Sequence, residues 1–453
     1  MTDACTTMSA IDLAICGASV LTADPIRPRI DDATILVRGD RIAEIVAGPA
    51  EASRLEGVRR IDARGKVATP GLVNVHTHAI LTMVRGVAED MGFAPAYTPG
   101  VPHGHDVSEE EAVALARLGA LEALLFGSTL LNDTFVHQHL TLPAMAETGI
   151  RAWGCGRIHD VDFSRVHLGE WEHKTEIGRR TLDEAIALHA AFDGKANGRM
   201  GVQLSPHAPD TCSRDLLVEI RETSATLRCR VNTHLSQSKV EVGRIRSREA
   251  MSPPELLDEI GLLNDRLIAA HCIHVDAADI ARIGRNGVHV AHIAKGNQTH
   301  GHTAPTQALR EAGASLTLGT DNMHADMVEV MRWALATGRL QKGCVDEDWQ
   351  PHTVFEMATM GGARAMGLDA EIGSLEVGKK ADIVLFDYHR PHLVPFIDPL
   401  GNLVHTAQGR DVHTVIIDGR VVVENSRALL IDQDEIIADA QRAAVALWQR
   451  AKM

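Results

Sequence analysis

Pro70-Gly71-Leu72-Val73-Asn74-Val75-His76-Thr77-His78 is an apolar run that ends in two histidines one residue apart. Side chains alternate along a strand, so His76 and His78 leave it on the same side. Two imidazoles at one strand end can grip one metal ion. Much of the later chain supplies residues able to join them there.

Outward from this run the pattern is regular. Between 71 and 368, short apolar runs alternate with amphipathic stretches. That alternation is the signature of βα units around a parallel sheet. Candidate strands occupy 71–76, 128–132, 151–155, 201–204, 230–234, 266–271, 287–292 and 315–320. Eight strands close a (β/α)8 barrel. Ser108-Glu109-Glu110-Glu111 opens a helix with a capping box, and 276–285, 305–311 and 326–340 carry apolar residues at helical spacing.

The flanks read as short strands. Pieces at 11–21, 33–37, 41–46 and 58–61 are β-rich, with Arg38-Gly39-Asp40 as a hairpin turn. Beyond Gly373-Ser374-Leu375-Glu376-Val377-Gly378-Lys379-Lys380-Ala381-Asp382 come a strand at 383–386 and a second hairpin, 412–418 and 420–424, turning on Asp418-Gly419. The spacing predicts a small β-sandwich built from both chain ends, 1–69 with 369–430. It surrounds a barrel of 70–368, and a terminal helix lies within 431–453. The stretch 90–106, broken by prolines and glycines, is expected to be an irregular lid.

Composition bounds the function. A chain of 453 residues suits one barrel and one smaller domain. A formal charge of −15 argues against nucleic acid and anionic membrane as partners. Only 3% of residues are aromatic, which leaves no platform for stacking bases. Seven cysteines stand singly with no C-x-x-C pair. A reducing compartment, the cytoplasm, is therefore expected. No signal peptide and no apolar run of about 18 residues is visible.

Active sites of such barrels lie at the C-terminal strand ends. Those ends read His76 and His78, His207, His234, His271, His292 and Asp321. A lone histidine at a strand end is ordinarily structural; six strand ends sharing metal-type residues are not. Three imidazoles and a carboxylate suit zinc or ferrous iron and leave a position for water. The ion lowers that water's pKa to about 7. Asp321 can both touch the ion and take the water's proton.

These residues resemble the amidohydrolase superfamily, in its branch of triazine hydrolases, S-adenosylhomocysteine deaminases and guanine/cytosine deaminases. The matching motifs are the 70–78 run, Met83-Val84-Arg85-Gly86, Ser205-Pro206-His207-Ala208-Pro209, Thr233-His234, Ala270-His271-Cys272, Gly319-Thr320-Asp321 and the 373–383 tail. The resemblance covers about residues 10–430. It implies one divalent metal, zinc or Fe(II), on His76, His78, His234 and Asp321. It implies His271 as the catalytic partner that orients the attacking water, and His207 facing substrate. A single metal is expected, because the fourth strand has no lysine to bridge two. A homo-oligomer and a small heterocyclic substrate are expected on the same grounds. The reaction implied is hydrolysis of a C–N bond by metal-activated water, of the deaminase or aminohydrolase type.

Three departures bear on substrate. The fifth-strand histidine of deaminase relatives is followed three residues later by a glutamate that shuttles a proton. Here that position is Gln237, which donates a hydrogen bond but delivers no proton. General acid catalysis is worth roughly 10²–10⁴-fold. His271, His207, Glu241 or a lid histidine are the candidate substitutes. The substrate could instead be a cyclic amide, urea, carbamate or aryl chloride. The seventh strand continues from His292 into Ile293-Ala294-Lys295, where Lys295 could hold an oxyanion. The stretch 90–106 lacks the Trp and Glu that hold a ribose in nucleoside-binding relatives, which disfavours adenosine-type substrates. The histidine pairs 103/105, 137/139 and 300/302 read as surface or pocket-lining residues. A non-catalytic scaffold would show eroded ligands, and none of the four is eroded.

Overall fold

A computed structural model of the protein describes residues 11–91, 100–104, 106–166, 170–322 and 324–451. Five strands open the chain: β1 (Leu13–Leu21), β2 (Arg29–Arg38), β3 (Arg41–Ala47), β4 (Arg59–Asp62) and β5 (Lys66–Pro70). The barrel strands follow: β6 (Leu72–Thr77), β7 (Ser128–Phe135), β8 (Arg151–Ile158), β9 (Met200–Pro206), β10 (Val231–Leu235), β11 (Leu267–His271), β12 (His289–His292) and β13 (Ser315–Leu318). Four more, β14 (Ile383–Asp387), β15 (Val412–Ile417), β16 (Arg420–Glu424) and β17 (Arg427–Ala428), return to the first group.

Strands β6 to β13 form one eight-stranded parallel sheet in sequence order. Its two edges meet at one point, a parallel bridge between Thr77 and Asp321. There His78 N donates to Asp321 O at 2.9 Å and Asp321 N donates to His76 O at 3.0 Å. Asn74 adds a side-chain clasp: its amide donates to Thr320 Oγ1 at 2.8 Å, and its carbonyl accepts from Thr320 N at 3.1 Å. The fold is thus a (β/α)8 barrel whose seam runs beside the paired histidines.

The remaining strands form a second sheet in the order β17-β16-β15-β14-β5-β1-β2-β3, with β4 on β1. Its apolar core mixes both chain ends: Ile15, Ile35 and Ala68 pack with Ile383, Leu385 and Ile416. This is the small β-sandwich. Strand β5 was not anticipated. It runs into β6 with only Gly71 between, so the apolar stretch before His76 serves two sheets. Pro70 still pairs with Ile383 across the second sheet. Gly71 makes the transition because a Cβ there would lie 1.9 Å from Thr129 Oγ1.

The helices begin where side chains cap them. Ser108 accepts from Glu111 N, and the Glu111 side chain accepts from Ser108 N, at the head of the helix Glu109–Leu125. Asp276 and Asp326 cap Ala277–Arg285 and Met327–Lys342, the side chain of each accepting two N–H groups. The two units are joined by buried charge. Arg151, the first residue of β8, donates to Asp382 at 2.6 and 2.9 Å and also pairs with Asp418. Most of the expected lid (92–99 and His105) lies outside the described residues.

Candidate metal centre

His76 is the last residue but one of β6 and is fully buried, and His78 directly follows Thr77 at the closing seam. His234 lies in β10, His271 ends β11, and Asp321 follows β13. The barrel brings all five to one space. The ligand atoms of His76, His78 and Asp321 lie within 4.8 Å of one another, as do those of His76, His234 and His271. His271 therefore stands as near to His76 and His234 as a ligand would.

Each imidazole is aimed by a partner on Nδ1. His78 Nδ1 meets the Thr134 carbonyl oxygen and His234 Nδ1 the His207 carbonyl oxygen, both at 2.5 Å. Carbonyl oxygens only accept, so both Nδ1 atoms hold the proton and, in the neutral rings, both Nε2 atoms present lone pairs. Those Nε2 atoms are 3.2 Å apart, and His78 Nε2 is 3.2 Å from Asp321 Oδ1. Lone pairs facing at that distance repel unless a cation lies among them. His76 Nδ1 and His271 Nδ1 bond the side-chain oxygens of Asn232 and Asn297, each at 2.9 Å. Their Nε2 atoms are buried and lack a hydrogen-bond partner among the described residues. Four imidazoles oriented through Nδ1, with Nε2 converging, fit a divalent ion.

The charge states agree. Burial pushes His76 down to about 3, helped by His78 and His271 and opposed by Asp321. Burial also lowers His271, and takes His234 well below its ordinary value. Asp321 is buried, which alone would raise it; the closeness of His78, His271 and His76 holds it far below the usual carboxylate range. His76, His234 and His271 therefore offer neutral nitrogens at neutral pH, beside one carboxylate. Two members sit in strained backbone: His271 has φ 74° and Asp321 φ 64°. Left-handed conformations of non-glycine residues cost of order 1–3 kcal/mol and cluster at functional sites.

The other anticipated residues are placed variously. The His207 ring lies 5.0 Å from that of His234 and bonds Thr211 Oγ1 at 3.0 Å. His292 is wholly buried, both its ring nitrogens lack partners among the described residues, and burial with His271 nearby pushes it down to about 4. Gln237 lies half-buried on the turn after β10. Lys295 is engaged: its Nζ lies 2.7 Å from Glu329 Oε2. Glu241 turns both carboxyl oxygens to backbone N–H groups, so it does not face substrate as an acid. The orienting groups Asn232, Asn297 and Thr134 were missed. Asn232 was findable, because it lies two residues before His234 on the same face of its strand.

The family model described as "Amidohydrolase family" matches residues 67–422. The chain belongs to the amidohydrolase family. A 5-methylthioadenosine/S-adenosylhomocysteine deaminase of Desulforudis audaxviator is 36% identical over 88% of this chain and 92% of its own. A 5'-deoxyadenosine deaminase of Methanosarcina acetivorans is 32% identical over 97% and 99%. Among solved structures, a zinc-bound adenosine deaminase from Xanthomonas campestris superposes with TM-score 0.85 at 25% identity, covering 97% of this chain and 99% of that one. An atrazine chlorohydrolase from Arthrobacter aurescens with zinc gives 0.85 at 24% identity over 95% and 100%, which speaks to the fold alone. This amidohydrolase is an enzyme: a metal-dependent hydrolase of the deaminase type, acting on a non-peptide carbon–nitrogen bond of a small molecule. It uses a divalent metal. Among the described residues no helix is long and apolar enough to cross a membrane.

Proposed function

We propose that this amidohydrolase is a zinc-dependent deaminase that hydrolyses the exocyclic C–N bond of an amino-substituted nitrogen heterocycle of the aminopurine kind. The observation that carries this reading is the facing of His78 Nε2, His234 Nε2 and Asp321 Oδ1, at 3.2 Å from His78 to each of the other two. Zinc held by His76, His78, His234 and Asp321 would make hydroxide available at neutral pH and polarise the bond to be cut.

The protein's own groups do the rest. Asp321, held ionised by its surroundings, accepts the proton of the attacking water and returns it to the departing nitrogen, so that the C–N bond breaks with release of ammonia. His271 is neutral, and Asn297 keeps its proton on Nδ1. Its Nε2 lone pair can therefore orient that water by accepting a hydrogen bond. His207 and His292 line the substrate side of the same space. Gln237 offers an amide N–H to a ring nitrogen and holds the ring in place without protonating it. Lys295, paired with Glu329, helps shape the wall beside Asp321.

The relatives named as deaminases of adenosine derivatives support the aminated ring. The lid stretch, without Trp or Glu, argues against the ribose contacts of nucleoside-binding relatives, so a nucleoside is the less favoured form of substrate. Gln237 favours a second reading: cleavage of a cyclic amide, urea, carbamate or aryl chloride, whose leaving group needs less protonation. We also propose a homo-oligomer, and that 1–69 with 369–430, 70–368 and 431–453 act as the chain's domains. The test is ammonia release from a panel of aminopurines, pterins and azines by zinc-loaded enzyme. Turnover of one or more supports the proposal, and no release from any at full metal loading refutes it.

A further inference from the structure

The turn that follows His234 is held from beneath by a residue outside the metal set. Ser238 caps the helix Lys239–Glu249 and accepts from Glu241 N at 3.0 Å. In an ordinary capping box the third helical residue reaches back to the cap's own N–H. Here Glu241 reaches past it. Its Oε1 accepts from Ser236 N at 2.7 Å and its Oε2 from Gln237 N at 2.8 Å. Ser236 sits in the left-handed region with φ 49°, a conformation that persists only where the surroundings hold it. The turn is also tied to the loop after β11, since Cys272 N donates to Leu235 O at 2.9 Å and His274 N to Ser236 O at 2.8 Å.

We propose that Glu241 is a positioning residue for the reaction: its buried carboxyl fixes the backbone of Ser236 and Gln237, so that the Gln237 amide meets the substrate beside His234. The inference rests on the reading that Gln237 contacts substrate. Glu241 is 4% exposed with both oxygens engaged by backbone, so it acts through Gln237 and does not touch the reacting atoms. The sequence motif is compact. Gln237 and Glu241 are four residues apart, one on the turn and one on the first turn of the helix that follows.

The test is a double-mutant cycle with a structural readout. Glu241→Gln keeps the shape but sets an NH2 group against one of the two N–H donors. We expect it to raise KM and lower kcat/KM about tenfold or more, as misplaced contact groups do. Zinc content should be unchanged. In a Gln237→Ala background the same change should cost less than about twofold, because the group it positions is gone. Hydrogen exchange of the Ser236 and Gln237 amides should accelerate in Glu241→Gln. If the two substitutions multiply independently, or those amides exchange at the parent rate, the positioning role is wrong. If Gln237→Ala alone is silent, the reading of Gln237 fails, and the exchange rates alone decide for or against Glu241. Should Glu241→Gln fail to fold, Glu241→Asp shortens the arm by one methylene and carries the same cycle and exchange measurement.

Discussion

Asn232→Leu tests whether the imidazoles are aimed at a metal. Asn232 is fully buried; its Oδ1 bonds His76 Nδ1 at 2.9 Å and its Nδ2 donates to Val75 O at 3.0 Å. Leucine nearly fills the same space and can do neither. The Val75 carbonyl keeps a second donor, Asn132 Nδ2 at 2.9 Å, so it is not orphaned. The His76 Nδ1 proton is orphaned, and a buried donor without an acceptor costs about 1–3 kcal/mol. The ring also loses what fixes its tautomer. Removing such an orienting partner lowers metal affinity about 10–100-fold, or about 1.4–2.7 kcal/mol. Two measurements separate the effects. Denaturant unfolding of the metal-free protein should show the first loss. Zinc competition against a chromophoric chelator should show the second, with a smaller stabilisation by added zinc. If Asn232→Leu binds zinc within twofold of the parent, the imidazoles are not arranged for an ion, and the convergence of their Nε2 atoms needs another explanation.

His271→Ala should keep zinc at or above half an equivalent yet lose about 10²-fold or more in kcat; full activity would remove it from the mechanism. Gln237→Glu should speed ammonia release from an aminopurine and leave hydrolysis of an aryl chloride or cyclic amide unchanged, as steady-state assays on both substrates will show. Burial and the neighbouring Asp210 push Glu241 up to about 8 from an ordinary 4.5, and burial raises Asp210 too, against the pull of Arg244 and Arg248. A carboxyl raised in the fold contributes stability that is full below its unfolded pKa and lost as pH climbs through its folded one. Asp210→Asn should therefore flatten the fall in unfolding free energy between about pH 4.5 and 8, and parallel curves for the two proteins would contradict this. Gly71→Ala should destabilise by about 1–3 kcal/mol in urea melts, because the added methyl overpacks Thr129.

The barrel was legible because its strands are buried on both faces and read as apolar runs at regular spacing, each ending in a residue with chemistry to offer. The boundary between β5 and β6 was not, since Val67-Ala68-Thr69-Pro70 and Leu72-Val73-Asn74-Val75 look like one run. Only pairing shows that the first half belongs with Ile383–Asp387. Histidine ring orientation is a tertiary property. Thr134 and His207 act through backbone carbonyls, which no side-chain pattern reveals, and Asn297 sits on a helix with no periodic tie to His271. The pairing of Lys295 with Glu329 was not legible, because the two lie 34 residues apart and become adjacent only after folding.

The seam between β6 and the end of β13 joins Thr77 to Asp321 across 244 residues of chain. Every proposed metal ligand but one belongs to β6, to the residue after it or to the segment that follows β13; only His234 comes from mid-barrel. An ion at the seam would act as a staple on the longest loop the barrel must close, and its binding energy would count directly as resistance to opening there. Metal supply and barrel integrity would then be a single equilibrium. Protein without the ion would open most readily at its first and last barrel strands.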